Sequence, residues 1–217
     1  MNHKRENMNL HLSKTAFALV SLSAIFQAIS MDKDKELGDA IAGFEKETVA
    51  KIVHSGQANV NARWMGMQML MVVPHMYGTQ DICKKFPEKE ARKKMGYEIA
   101  QILLDAGADP NSKDNNLGLT VLHKAVIEKD VALAKLLLER GAHVNCATTS
   151  GRTPLMLAAR HSTQLLELLL AHNADPFLKN DAQETALDIA QQSNIAVAIL
   201  TKAMSKNNSH INCHAPS

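Results

Sequence analysis

Met65, Met67, Met69 and Met71 alternate strictly, with His75 and Met76 close behind them. Thioether sulfur is a soft ligand suited to Cu(I). The same unbranched side chain also repacks readily around a partner or fills a gap in a core. Core filling is the expected role of this run, and a copper or small-ligand site over residues 65–76 is the alternative. A second cluster, His210, Cys213 and His214, offers three donors near the C-terminus, one short of a closed structural zinc site. The three cysteines, Cys83, Cys146 and Cys213, are odd in number and widely spaced. They form neither a disulfide framework nor a zinc pattern, and the spacing does not choose which pair, if any, would bridge. There is no G-x-G-x-x-G, no Walker-type loop, no H-E-x-x-H and no G-x-S-x-G, so none of the common catalytic frames is present. Nothing places a histidine beside Cys83 as a base. The expectation is a non-enzymatic chain without a cofactor or metal.

Chemistry of that kind must rest on elements that the composition restricts. Apolar residues make up 46% of the 217 and aromatics only 4%. A core built from Leu, Ile, Val, Ala and Met favours helical packing. The net charge of +2 comes from the first thirty residues, where Lys4, Arg5 and Lys14 stand against Glu6. A charge-balanced remainder argues against nucleic acid, whose phosphates need a basic stripe. Residues 15–29 carry no charge, but they are short for a membrane span, which needs about 20 residues. With a basic start and the small residues Ala28 and Ser30, they read as a signal peptide ending before Met31. Export, periplasmic or secreted, is expected, and an uncleaved membrane anchor through residues 15–29 is the alternative.

From residue 118 the chain repeats itself. Gly118 recurs at Gly151 and Thr120 at Thr153, a period of 33 residues, and the Leu run 136–138 returns at 168–170. Such a period marks stacked units, none of which buries its apolar face alone. The segments TVLH from Thr120, LLLERGAHVN from Leu136 and TPLMLAA from Thr153 resemble the ankyrin repeat. The resemblance implies an all-α solenoid of about five helix-turn-helix repeats, at roughly 32–62, 63–114, 115–147, 148–180 and 181–204. It also implies that His123 bonds back to Thr120, and that Met156, standing where the family has His, does not. Thr120 suits an N-cap and Pro154 the first helical position. Asn173 replaces the helix-ending Gly and also tolerates the left-handed conformation.

The second unit breaks the pattern. Gln68 and Met71 stand in place of the motif's Thr and His, and Pro74 should end or kink the first helix. Residues 78–96 turn polar and read as an insertion between the two helices, with a turn or two of helix over 88–94. Its charge run (Lys84, Lys85, Lys89, Arg92, Lys93 and Lys94) is expected to be solvated. Residues 205–217 are polar and expected to be disordered.

Family register places Trp64 and Met65 on a turn before a first helix, at the tips ankyrin proteins commonly use for binding. Trp64 is either an exposed hot spot there or folded back onto the insertion. The next tips carry Asn116, Leu117 and Leu119, then Thr149, Ser150 and Arg152, then Asp181, Ala182 and Glu184. Ile127, Glu128, Arg160, His161, Gln192 and Ser193 fall on the concave side of the first helices. What the resemblance implies is a monomer that binds another protein through these tips and this face.

Overall fold

Threonine hydroxyls start the short helices. Thr120, Thr153 and Thr185 each sit in extended backbone and accept a bond from the amide three residues on. This satisfies one of the donors that a helix start leaves orphaned. The computed structural model describes residues 30–211, Gly66 excepted. Its helices are α1 (residues 30–42), α2 (Lys46–His54), α3 (Met69–His75), α4 (Gln80–Lys85), α5 (Lys89–Asp105) and α6 (Val121–Ile127), followed by α7 (Val131–Glu139), α8 (Pro154–His161), α9 (Thr163–Ala171), α10 (Ala186–Ile189) and α11 (Asn194–Ile211). Two-residue strands, β1 (Arg63–Trp64) and β2 (Met67–Gln68), pair antiparallel as a hairpin before α3.

The helices pair as α3/α5, α6/α7, α8/α9 and α10/α11, and buried residues of α1 and α2 share the same core, which makes an all-α solenoid of five units. The inner helices stack in the order α3, α6, α8, α10, and the outer ones in the order α2, α5, α7, α9, α11. One continuous core runs between the layers. Ala125, Ala158, Ala159 and Ala186 are buried on the inner helices, where small side chains let neighbouring helices approach. Leu133, Leu137, Leu165 and Leu169 face them from the outer layer, fully buried. Each such leucine is worth roughly 2 kcal/mol of transfer free energy.

Helix ends repeat as well. Gly107, Gly141 and Asn173 all adopt positive φ, and the next residue's amide returns to a carbonyl one turn back in α5, α7 and α9. Asn173 therefore does serve as the left-handed stop. Beyond each stop an asparagine ties one unit to the next: Asn61 Oδ1 accepts from Asp109 N (2.8 Å), Asn111 Oδ1 from His143 N (2.7 Å) and Asn145 Oδ1 from Asp175 N (2.9 Å). Repeat four lacks one residue between its helices. Lys129, in left-handed backbone at φ 54°, has no counterpart there, and Ser162 caps α9 directly from extended backbone. That deletion explains why the threonines repeat at 33 and the leucines at 32.

Two expectations need correction. The insertion does not span 78–96 as a separate polar loop. α3 ends at Pro74-His75 as expected and passes through a 3-10 turn, Met76–Gly78, into α4. The helical stretch expected over 88–94 is then the beginning of α5, continuous through Gly96 into the repeat's own second helix. Within this helix position 96 requires glycine because Tyr77 lies against it, where a Cβ would stand 2.5 Å from the phenolic oxygen. The polar tail does not begin at residue 205, since α11 continues to Ile211. The segments 1–29 and 212–217 lie outside the described residues, and with them the expected signal peptide and anchor, Cys213, His214 and the side chain of His210.

The inserted segment works as a clamp along the edge opposite the hairpin tips. Phe44, at φ 52° in the α1–α2 turn, stacks on Tyr77 with centroids 6.1 Å apart, and Phe86 meets Phe44 edge-on at 6.3 Å. Tyr77 is buried, and its hydroxyl donates to Asp130 Oδ2 at 3.0 Å. Asp130 Oδ1 in turn accepts from Leu133 N and caps α7. Units one, two and three are thus joined through one aromatic cluster and one buried carboxylate.

Candidate functional site

Left-handed backbone shapes the tips. Gly118 (φ 65°), Gly151 (φ 72°) and Gln183 (φ 63°) occupy the same place in successive turns. Asp114 Oδ1 accepts from Leu117 N (2.9 Å) and Leu119 N (3.1 Å), and Thr148 Oγ1 accepts from Arg152 N (3.1 Å). The tips are also bonded to one another, Thr149 N donating to Leu117 O (3.0 Å) and Asp181 N to Ser150 O (3.2 Å). Arg63 Nη1 reaches Asn115 Oδ1 at 2.8 Å. At Gly151 a Cβ would stand 2.9–3.0 Å from Asp181 and Asn180 atoms, so the close stacking of tips and the positive φ both require glycine.

Behind the third tip, His123 is buried. Its Nδ1 accepts from Thr120 N (3.2 Å) and lies 2.9 Å from Thr120 Oγ1, while Nε2 lies 3.1 Å from Arg152 O in the next unit. The ring is therefore an Nε2–H tautomer, donating forward and accepting back. Burial lowers its pKa to about 4, against the bond to Arg152 O, which favours the charged form. Cys146 Sγ lies 3.7 Å from His123 Nδ1, a spacing that resembles a nucleophile and base. Both partners are unsuited to that work: the imidazole is a weak base with Nδ1 already engaged, and burial pushes the thiol's pKa up. Cys83 and Cys146 are free thiols. His123 bonds as the family resemblance implies, and Met156 in the same place is simply buried.

The concave side opens between α8 and α10 into a pocket of about 640 Å³. Arg152, Arg160 and His161 stand on the wall of the fourth unit, facing Glu184 and Asp188 on the fifth. Leu157 and Ile189 are half-buried in its lining. Asp188 closes a capping box with Thr185, its Oδ2 accepting from Thr185 N (2.8 Å) and Oγ1 (2.7 Å), and these bonds lower its pKa. Glu184 Oε2 accepts from Asn180 Nδ2 at 2.9 Å.

The expected surface residues divide into those brought together and those turned elsewhere. Arg152, Arg160 and His161 share the pocket, and Asn116, Leu117, Thr149 and Ser150 form an exposed row on the bonded tips. Leu117 is 59% exposed and Met65, at the hairpin tip, 80%. Leu119 is half-buried within its turn. Glu128 is half-buried and turns toward Lys89 of the clamp, 3.9 Å away, rather than into the concave pocket.

Trp64 is neither an exposed anchor nor folded onto the insertion. Its indole lies on Gly38 of α1 and Nε1 donates to Asp39 Oδ1 at 2.9 Å. Gly38 occupies in the first unit the place of His123 in the third, and Trp64 fills the volume left by the missing side chain. A Cβ at Gly38 would stand 1.9 Å from Trp64 Cδ1. Gly38→Ala should therefore displace the indole, red-shift the emission of this sole tryptophan and cost about 2 kcal/mol. Unchanged emission and denaturation midpoint would sink that placement. The methionine run separates too: Met65 is exposed, while Met69 and Met71 are buried in α3 with every neighbour along that helix from Leu70 to Pro74. The run presents no single row of sulfurs because the strand ends at Gln68, and a period of two does not follow one helical face. Sequence reasoning passed over Asp188 as a pocket wall, although its spacing three residues after Thr185 is a legible capping-box signal.

A stacked array of helix pairs with bonded tips and an open concave face defines the class, and comparison with known proteins agrees. The family described as ankyrin repeats (three copies) matches residues 89–180 and 144–213, and the chain belongs to that family. The chain is 31% identical over 188 residues to protein PhlB of Serratia liquefaciens, covering 82% of this chain and 78% of that protein. It is 34% identical over 119 residues to the E3 ubiquitin-protein ligase KEG of Arabidopsis thaliana, covering 54% of this chain and 7% of that protein. Against the nuclear factor NF-kappa-B p105 subunit of Mus musculus it is 47% identical over 81 residues, covering 36% of this chain and 8% of that one. The chain thus spans under a tenth of KEG and of p105. Ankyrin repeats generally mediate protein–protein binding. No helix among the described residues is long and apolar enough to cross a membrane.

Proposed function

We propose that this chain is a non-enzymatic recognition module that binds a partner protein through the tips of units two to five and the concave pocket between α8 and α10. The observation that carries the reading is the presence in one stack of exposed apolar tips, Met65 and Leu117, and of a pocket between units four and five lined by charged side chains. Apolar anchors beside fixed polar donors are what a specific interface needs. The tips are held by bonds from one unit to the next, so little ordering entropy opposes binding.

The test is affinity purification with quantitative mass spectrometry, comparing wild type with Leu117→Asp and Arg160→Ala. Both residues are exposed, so each variant should keep its helical content and denaturation midpoint. A specific partner should fall by about tenfold or more in each, the loss expected of a hot spot. Partners recovered equally by all three proteins would refute the proposed face.

A further inference from the structure

The pocket between α8 and α10 holds both signs of charge, yet its two walls are not equivalent. On the fifth unit the carboxylates are already engaged. Asp188 Oδ2 takes two bonds from Thr185, and Glu184 Oε2 takes one from Asn180. On the fourth unit, among the described residues, the Arg152 and Arg160 guanidiniums and the His161 ring have neither a hydrogen-bond nor an ion-pair partner. Each guanidinium offers five N–H donors in a planar fork. Arg152 is held beside the tip by its own backbone, whose amide donates to Thr148 Oγ1 (3.1 Å) and whose carbonyl faces His123 Nε2 (3.1 Å). Arg160 and His161 lie in the last turn of α8.

We infer that the pocket receives an acidic side chain, Asp or Glu, from the bound segment of the partner protein, gripped by Arg152 and Arg160. This rests on the reading of the concave face as the partner surface. A carboxylate matches the guanidinium fork bidentately, and such charge-assisted bonds are about twice as strong as neutral ones. Asp188 and Glu184 sharpen the fit. With their cap bonds made, they repel a carboxylate on the fifth-unit side and steer it to the arginine wall, and they leave room for an amide donor beside it. A basic side chain would have to sit against two unpaired guanidiniums.

Random peptides displayed on phage, selected on the immobilised full chain, test the assignment. Selected peptides should be enriched in Asp or Glu at a common position. Exchanging that residue for its amide should weaken binding at least about tenfold, as should Arg152→Gln with Arg160→Gln in the chain, the loss expected of a charge-assisted pair. Lys135→Gln on the outer layer should change nothing. Peptides that bind acid and amide forms alike, yet lose binding to Leu117→Asp, would overturn the acidic occupant and keep the face. Failure to enrich any peptide, or peptides indifferent to every change on this face, would overturn both.

Discussion

Tyr77→Ala is expected to destabilise the protein by about 4 kcal/mol, in the range for removing a fully buried aromatic side chain. Tyr77 is 2% exposed, stacks on Phe44 and covers Gly96. Its removal opens a cavity where the first three units meet and deprives the buried Asp130 of a donor. Tyr77→Phe isolates that last effect, because the ring stays while Asp130 keeps only the bond from Leu133 N. The phenylalanine variant should lose about 1–3 kcal/mol, the usual cost of a buried polar group left short of a partner. Stability in a stacked array is close to a sum of unit and interface terms. The loss should therefore appear first in the N-terminal units, with Trp64 emission changing at lower denaturant than helical circular dichroism. A Tyr77→Ala protein within 1 kcal/mol of wild type, its two signals coincident, would show that the inserted segment is not a clamp.

Acid should weaken the stack through His123. Its pKa is about 4 in the folded protein against roughly 6.5 in an unfolded chain. Between those values the unfolded state binds more protons, so stability falls as pH falls through that window. The full effect is about 3 kcal/mol, reached near pH 4, with no further loss from this group below it. Asp188 adds a loss of the same direction, because its lowered pKa gives stability that disappears as it protonates. His123→Gln keeps a polar side chain but does not titrate. It should be less stable than wild type at pH 7 and show a flatter dependence between pH 6.5 and 4. Denaturation curves at several pH values check this, and parallel dependences for the two proteins would exclude His123 as the cause.

Much of the frame was legible in the chain because its determinants are local. A threonine hydroxyl caps an amide three residues away, Asn173 turns its own backbone, and Pro74 removes its own donor. Each acts within a turn of helix and depends little on the rest of the molecule. The exposed tips and the arginine wall were legible for a related reason, since a repeating unit presents the same register positions outward each time. Glu128 was misplaced by that same rule, because an ion pair with Lys89 involves a segment that the repeat does not contain.

What the sequence alone determined is the class of architecture: the period, the helix starts and stops, the apolar faces that require stacking, and the row of tips. What only the tertiary structure decided is every assignment that depends on a gap in one unit being filled from another. Trp64 lies on Gly38 because the first unit lacks a side chain there, and the hole becomes visible only when the second unit is laid beside it. Tyr77 reaches Asp130 across 53 residues of chain, and position 96 must be glycine because that ring takes the space of a Cβ. The bonds that engage Asp188 and Glu184, from Thr185 and Asn180, likewise show only in the folded chain. Packing is settled by complementary volumes and bond partners distant in sequence, and spacing along one chain carries no record of them.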